Sequence, residues 1–236
     1  EMCIRDSIKK INKISNQILI KKLNDYLCSY MKTLIHIFLT LLAPYLCVSC
    51  NDTKVKSKRM IPVGILADGD LAFRRGTGIL SHIVTTASND GTYSHVGILK
   101  KIDNEWFVIH AVPDEPDFEG DVDRVKADSL SRFFANDRAV RGIIARVTED
   151  TLAASKAARI AWEMAQKGIL FDHDYNLNDT LRMYCTELVE FAYQKAGICL
   201  SEGRRTQINV PSMSGTYLMP DDIVTNKRLK IQYVFP

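Results

Sequence analysis

The chain has 236 residues, 46% of them hydrophobic and 25% charged, with a formal net charge of +3. That length supplies one sizeable core, or at most two small ones. The composition excludes a disordered chain, a collagen, a polytopic membrane protein and a disulfide-dense miniprotein. The first fifty residues hold seven Lys or Arg against three Asp or Glu, whereas residues 51–236 hold 24 against 25, so the body of the chain has no basic bias and no nucleic-acid partner is expected.

Residues 1–30 scatter lysines among isoleucines and read as an over-called leader ahead of a start at Met31; a basic amphipathic surface helix is the other reading. Residues 31–50 have the anatomy of a signal peptide: Lys32, an apolar stretch from Leu34 to Leu46, then small residues up to Cys50. The run is too short and too interrupted for a transmembrane helix, which needs about 20 apolar residues. Its end, Leu46-Cys47-Val48-Ser49-Cys50, is similar to a bacterial lipoprotein box, although Leu46 stands one place further from Cys50 than usual. Cys50 is therefore the candidate lipidation site, residues 51–66 the tether and residues 67–236 one domain. Only Cys185 and Cys199 of the six cysteines fall in that domain.

Within it, Asp70 to Phe73 reads as a short strand and Gly78 to Ala87 as a helix. Asn89-Asp90-Gly91 marks a turn before two strands, His95 to Leu99 and Trp106 to Val112, which form a hairpin through Asp103-Asn104. Pro113 to Asp123 is an acidic loop; it lacks the Asp-Gly ordering of a calcium loop and reads as a solvated one. A helical turn over Ser129 to Phe134 and a strand over Arg141 to Val147 follow. Thr148 is the expected cap of an alanine-faced helix that Gly168 ends. A second helix is expected from Cys185 to Ala196, stopped by Gly197, and a last strand from Leu229 to Phe235. Strands and helices mix without alternating, which indicates an α+β fold.

Cys185 opens its helix, where exposed N–H groups and the helix dipole favour thiolate and should lower its pKa. It is a candidate nucleophile, and a nucleophile needs a proton shuttle. His95, at a strand start, is the candidate base, with Gly97 leaving room for another element such as the cysteine helix. His110 lies in an otherwise apolar strand and, buried, needs a partner; its useful task is to hold the His95 ring and set its tautomer. His82 and His173 read as surface residues. No Cys or His pair has the close spacing of a zinc set, and no cofactor is implied. Tyr184, Glu187 and Asp172 are candidates for substrate or oxyanion contacts, with Glu187 better explained as an acid favoured at a helix N-terminus.

The pieces GDLAF, YSHVGIL, FVIHAV, FDHDY, YCTELVEFAY and MPDDI resemble the YiiX/YebB-like family of circularly permuted papain-like cysteine amidases or peptidases, related to the NlpC-type cell-wall hydrolases and similar in layout to the lecithin–retinol acyltransferase group. The resemblance runs from about Asp68 to the C-terminus. It implies a permuted papain-like fold, an antiparallel sheet packed against helices that include the nucleophile helix. It matches the family's catalytic histidine to His95 and its nucleophile to Cys185. The third polar position falls on His110, where the family often has glutamate, and the family's Tyr-Asp pair stands here as Phe171-Asp172. The implied protein is an enzyme of the bacterial cell envelope, lipid-anchored or secreted, acting on an amide of an envelope peptide. A thiol-dependent lipid acyl hydrolase or acyltransferase is the rival with the same nucleophile, and a non-catalytic ligand-binding lipoprotein is the rival of another class.

Overall fold

The computed structural model describes residues 61–87, 91–176, 181–209 and 214–235. The leader, the signal-like segment with Cys50 and most of the tether lie outside the described residues. Among the described residues, ten strands alternate irregularly with five α-helices: β1 (Leu71–Arg75), α1 (Ile79–Ala87), β2 (His95–Ile102), β3 (Glu105–Val112), β4 (Arg124–Ser129), α2 (Leu130–Phe133), β5 (Arg141–Val147), α3 (Thr151–Gln166), β6 (Leu170–Phe171), β7 (Arg182–Met183), α4 (Cys185–Ala196), β8 (Thr206–Ile208), β9 (Gly215–Tyr217), α5 (Pro220–Val224) and β10 (Leu229–Phe235). Eight of the strands form one sheet in the order β10-β5-β1-β2-β3-β4-β6-β7, while β8 and β9 pair separately. All neighbours in the large sheet are antiparallel except β6 and β7. The fold is α+β, as expected. Among the described residues no helix is long and apolar enough to cross a membrane.

Opposed residues in an antiparallel pair share a face, so the register sorts the sheet into two sides. Leu71 faces Ile98 and Ala145, Phe73 faces Val96 and Ile143, and Ile98 faces Ile109. These residues form one core cluster with α3 and α4. The alanine stripe of α3, from Ala153 to Ala161, lets that helix approach α4 closely. The turn before β1 is locked into the same layer. Gly69 has φ +91°, and a Cβ there would lie 2.3 Å from the carbonyl oxygen of Ala154. The Tyr193 hydroxyl donates to the Gly69 carbonyl. The other side of the sheet packs Ala72, Leu99, Val108 and Ile144 against Phe133 and Phe134 around α2, and against Phe235.

Three expectations need correction. The cap of α3 is Asp150, whose Oδ1 accepts from the Ala153 N–H at 2.8 Å, so the helix starts three residues after Thr148. Gly97 makes room for β3 and not for the cysteine helix: a Cβ there would lie 2.5 Å from Val108 Cγ1 and 3.0 Å from His110 Cβ. The acidic loop is more than a solvated surface. Glu115 pairs with Arg74 and Arg138, and Asp117 with Arg124, Lys126 and Arg132. Strand β4 was not anticipated, nor were β6 to β9 and α5.

Candidate active site

Strand β7 runs into α4 through Tyr184, which keeps extended backbone (φ −96°, ψ 174°), so Cys185 is the first helical residue. The junction is held from the side. Thr186 Oγ1 donates to the Leu218 carbonyl at 2.6 Å, and the Leu218 N–H donates to the Tyr184 hydroxyl at 3.2 Å. Gly197, at φ +101°, closes the helix at its far end. Cys185 is half-buried and Cys199 exposed, and both thiols are free. The expected lowering of the Cys185 pKa is overturned. Burial pushes the thiol up to about 11, against the opposing pull of the Val96, Thr186 and Cys185 N–H groups and of the Arg74 charge. Helix N-terminal donors are present as expected, but desolvation outweighs them.

His95 begins β2 opposite Arg74 of β1. Its Nε2 lies 2.8 Å from His110 Nδ1, so the ring is held by His110 as the sequence predicts. The register explains the contact. A Cβ at Gly97, between the two histidines on their face, would crowd His110, so glycine lets the imidazole cross to its diagonal neighbour. Both rings are buried, and the Phe133 ring lies against them at centroid distances of 5.7 and 5.1 Å. The Arg74 guanidinium sits over the other part of this aromatic seat, 4.5 Å from the Phe133 centroid. Burial, with the nearby positive charge of Arg74, drives the His95 pKa well below its ordinary value. Burial also lowers that of His110, against the raising effect of Asp128. Asp128 Oδ2 stands 3.3 Å from His110 Nε2. Burial would raise the Asp128 pKa, but His110, Lys126 and Arg132 outweigh it and hold the carboxyl well below the usual carboxylate range.

Cys185 and His95 open onto one cleft of about 490 Å³. Tyr184 lines it too, with Phe171 and Tyr175 as an aromatic wall and Arg74, Glu115 and Arg138 as a charged one. The N–H of Val96, the residue directly after His95, is among the groups that favour the Cys185 thiolate. Glu187 and Asp172 are not among the cleft's lining residues. Glu187 is buried in the first turn of α4. Asp172 accepts from the N–H groups of Asp174 at 2.9 Å and Asn176 at 2.5 Å, and so shapes the loop that carries Tyr175 into the cleft. Desolvation pushes the Tyr175 hydroxyl up to about 12, so it is a hydrogen-bonding group and not an acid at neutral pH. His82 and His173 are exposed, His173 with its Nε2 3.2 Å from Asp123. Among the described residues no group of three or more His, Cys, Asp or Glu is placed to hold a metal ion.

Sequence reasoning missed Arg74, Glu115, Asp128, Arg138 and Tyr175. A signal for Asp128 existed: Arg124, Lys126 and Asp128 alternate with Val125 and Ala127, the period of a strand.

A model of the family described as permuted papain-like amidase enzyme, YaeF/YiiX, C92 family, matches residues 65–218. Among solved structures, the metalloprotein YiiX from Escherichia coli O157:H7 is similar, with 20% sequence identity and a TM-score of 0.58 over 72% of this chain and 98% of that one. At that identity the likeness is one of fold. No curated protein matches.

Proposed function

Because the chain belongs to the permuted papain-like amidase family, we propose that it is an exported cysteine amidohydrolase that works through Cys185 and His95. The observation that carries the reading is a cysteine at a helix start sharing one cleft with a histidine whose Nε2 is already held at 2.8 Å. With the thiol pushed up and the imidazole pushed down, both groups rest neutral at neutral pH. Proton transfer therefore accompanies attack. His95 Nδ1 takes the thiol proton as sulfur bonds to the carbonyl carbon, and the carbonyl oxygen becomes an oxyanion. The Cys185 N–H, at the first turn of α4, is a built-in donor for that charge. His95 returns the proton to the leaving amine as the C–N bond breaks, which leaves a thioester. Water then gives its proton to His95 as it attacks the thioester carbon, and the departing sulfur takes that proton back.

The substrate class is an amide of a cell-envelope peptide. The signal-like residues 31–50 and their lipobox-like end at Cys50 support export and a lipid anchor at the membrane. The test is to offer envelope peptides and acyl lipids to the full chain and to Cys185→Ala, then read thioester formation by mass spectrometry. Peptide-derived acylation of Cys185 is expected. Acylation by lipids alone would move the reading to a lipid acyl hydrolase, and none at all would move it to a binding protein.

A further inference from the structure

The charged groups behind the histidines are not idle packing. Asp128 stands opposite Val108 on β4, two residues along the same face from Lys126, which pairs with His110. Three cations surround its carboxylate. Arg138 Nη1 lies 3.1 Å from Oδ2, and Arg132 Nε and Lys126 Nζ lie 3.3 and 3.5 Å from Oδ1. Asp128 is therefore held ionised and accepts only. His110 Nε2 is fully buried and makes no in-line hydrogen bond; the acceptor within its reach is Asp128 Oδ2 at 3.3 Å. A lone pair there would face a carboxylate, so Nε2 carries the hydrogen. Neutral His110 then has one lone pair, on Nδ1, which must accept from His95 Nε2–H at 2.8 Å. That leaves the lone pair of His95 on Nδ1.

We propose that Asp128 is a positioning residue that sets the tautomers of His110 and His95 in series, across three neighbouring strands, so that His95 presents an unprotonated Nδ1 as base. The inference rests on the reading of His95 as the base for Cys185. Burial keeps both rings neutral, as the series requires. The loose 3.3 Å contact tightens when the pair becomes charged during attack, as catalytic hydrogen bonds do.

The test uses full-length protein labelled with ¹⁵N-histidine. Long-range proton–nitrogen spectra at neutral pH read which ring nitrogens are protonated. In the wild type both His95 and His110 are expected to be protonated on Nε2 and bare on Nδ1. In D128N, where the amide can donate or accept, His95 is expected to become a mixture although Asp128 does not touch it. Acetyl transfer from p-nitrophenyl acetate to Cys185 should fall roughly a hundredfold, the lower end of what a general base contributes, and D128E should recover part of it. A wild-type His95 protonated on Nδ1 overturns the proposal whether or not D128N folds, and so does an unchanged His95 tautomer in a folded D128N. The stated tautomers with a Cys185 that no acyl donor modifies would instead remove the catalytic reading and leave the tautomer series standing.

Discussion

On the helix side of the sheet, Leu71, Phe73, Val96, Ile98, Ile109 and Ile143 pack against the apolar faces of α3 and α4. On the other side β1 to β4 bury Arg74, His95, His110, Lys126 and Asp128 beside Phe133. Apolar burial is non-directional, so many shapes fill the first side. A buried charge or imidazole needs a partner at a set distance and angle, so the second side tolerates few substitutions. Cys185 comes from the helix side and His95 from the polar side, and the cleft is where they meet.

Several substitutions set one side against the other. Cys185→Ala, at the seam, should remove turnover by on the order of a thousandfold or more, while the thermal midpoint hardly moves; a large loss of stability would mean the residue is structural. Asp128→Ala leaves Lys126, Arg132 and Arg138 without their shared anion and should cost about 3–5 kcal/mol in denaturant melts. Leu188→Ala, on the helix side, should cost about 2–5 kcal/mol and leave the histidine tautomers untouched, which separates packing from positioning. Gly97→Ala should cost about 1–3 kcal/mol by overpacking against Val108 and His110 and, unlike Leu188→Ala, should also slow acylation.

Smaller effects follow from protonation. His95 and His110 have folded-state pKa values below their unfolded ones, so their contribution is complete above about pH 6.5 and declines as pH falls, by roughly 1.4 kcal/mol per histidine per pH unit. Asp128, also depressed, adds a loss as pH falls below about 4. Cys185, raised to about 11, gives stability that is complete below its unfolded value of about 8.5 and is lost as pH rises between the two. Thermal melts should therefore plateau between about pH 6.5 and 8.5. Asp150→Ala, which removes one cap from α3, should cost about 1 kcal/mol with no effect on the site.

The helix side was the legible one. Runs of β-forming residues set off by turn signals gave β2 and β3, a further strand was legible at β5, and helical spacing with terminal glycines gave α4 to the residue and α3 within three at its start. Cys185, His95 and His110 were legible because each stands in a context that asks for a reason: a helix start, a strand start, an apolar strand. Asp128 and Arg74 were not, because their meaning lies in pairing. Nothing local says that Asp128 reaches His110 across β3 and β4, or that Arg74 stands opposite His95. The two-residue strands β6 and β7 carry too little sequence to show a period. The Cys185 pKa departs from the sequence expectation because the helix start is visible in sequence and the burial that overrides it is not.

In the proposed mechanism, His95 activates a thiol that burial otherwise makes hard to ionise. The direct measurement is acetylation by p-nitrophenyl acetate at neutral pH, with Cys185 and the exposed Cys199 followed separately by peptide mass spectrometry, in the wild type and in His95→Ala. Cys185 should react faster than Cys199 despite its burial, and should lose that advantage in His95→Ala. A Cys185 no faster than Cys199, or one indifferent to the loss of His95, would show that His95 does not activate the thiol.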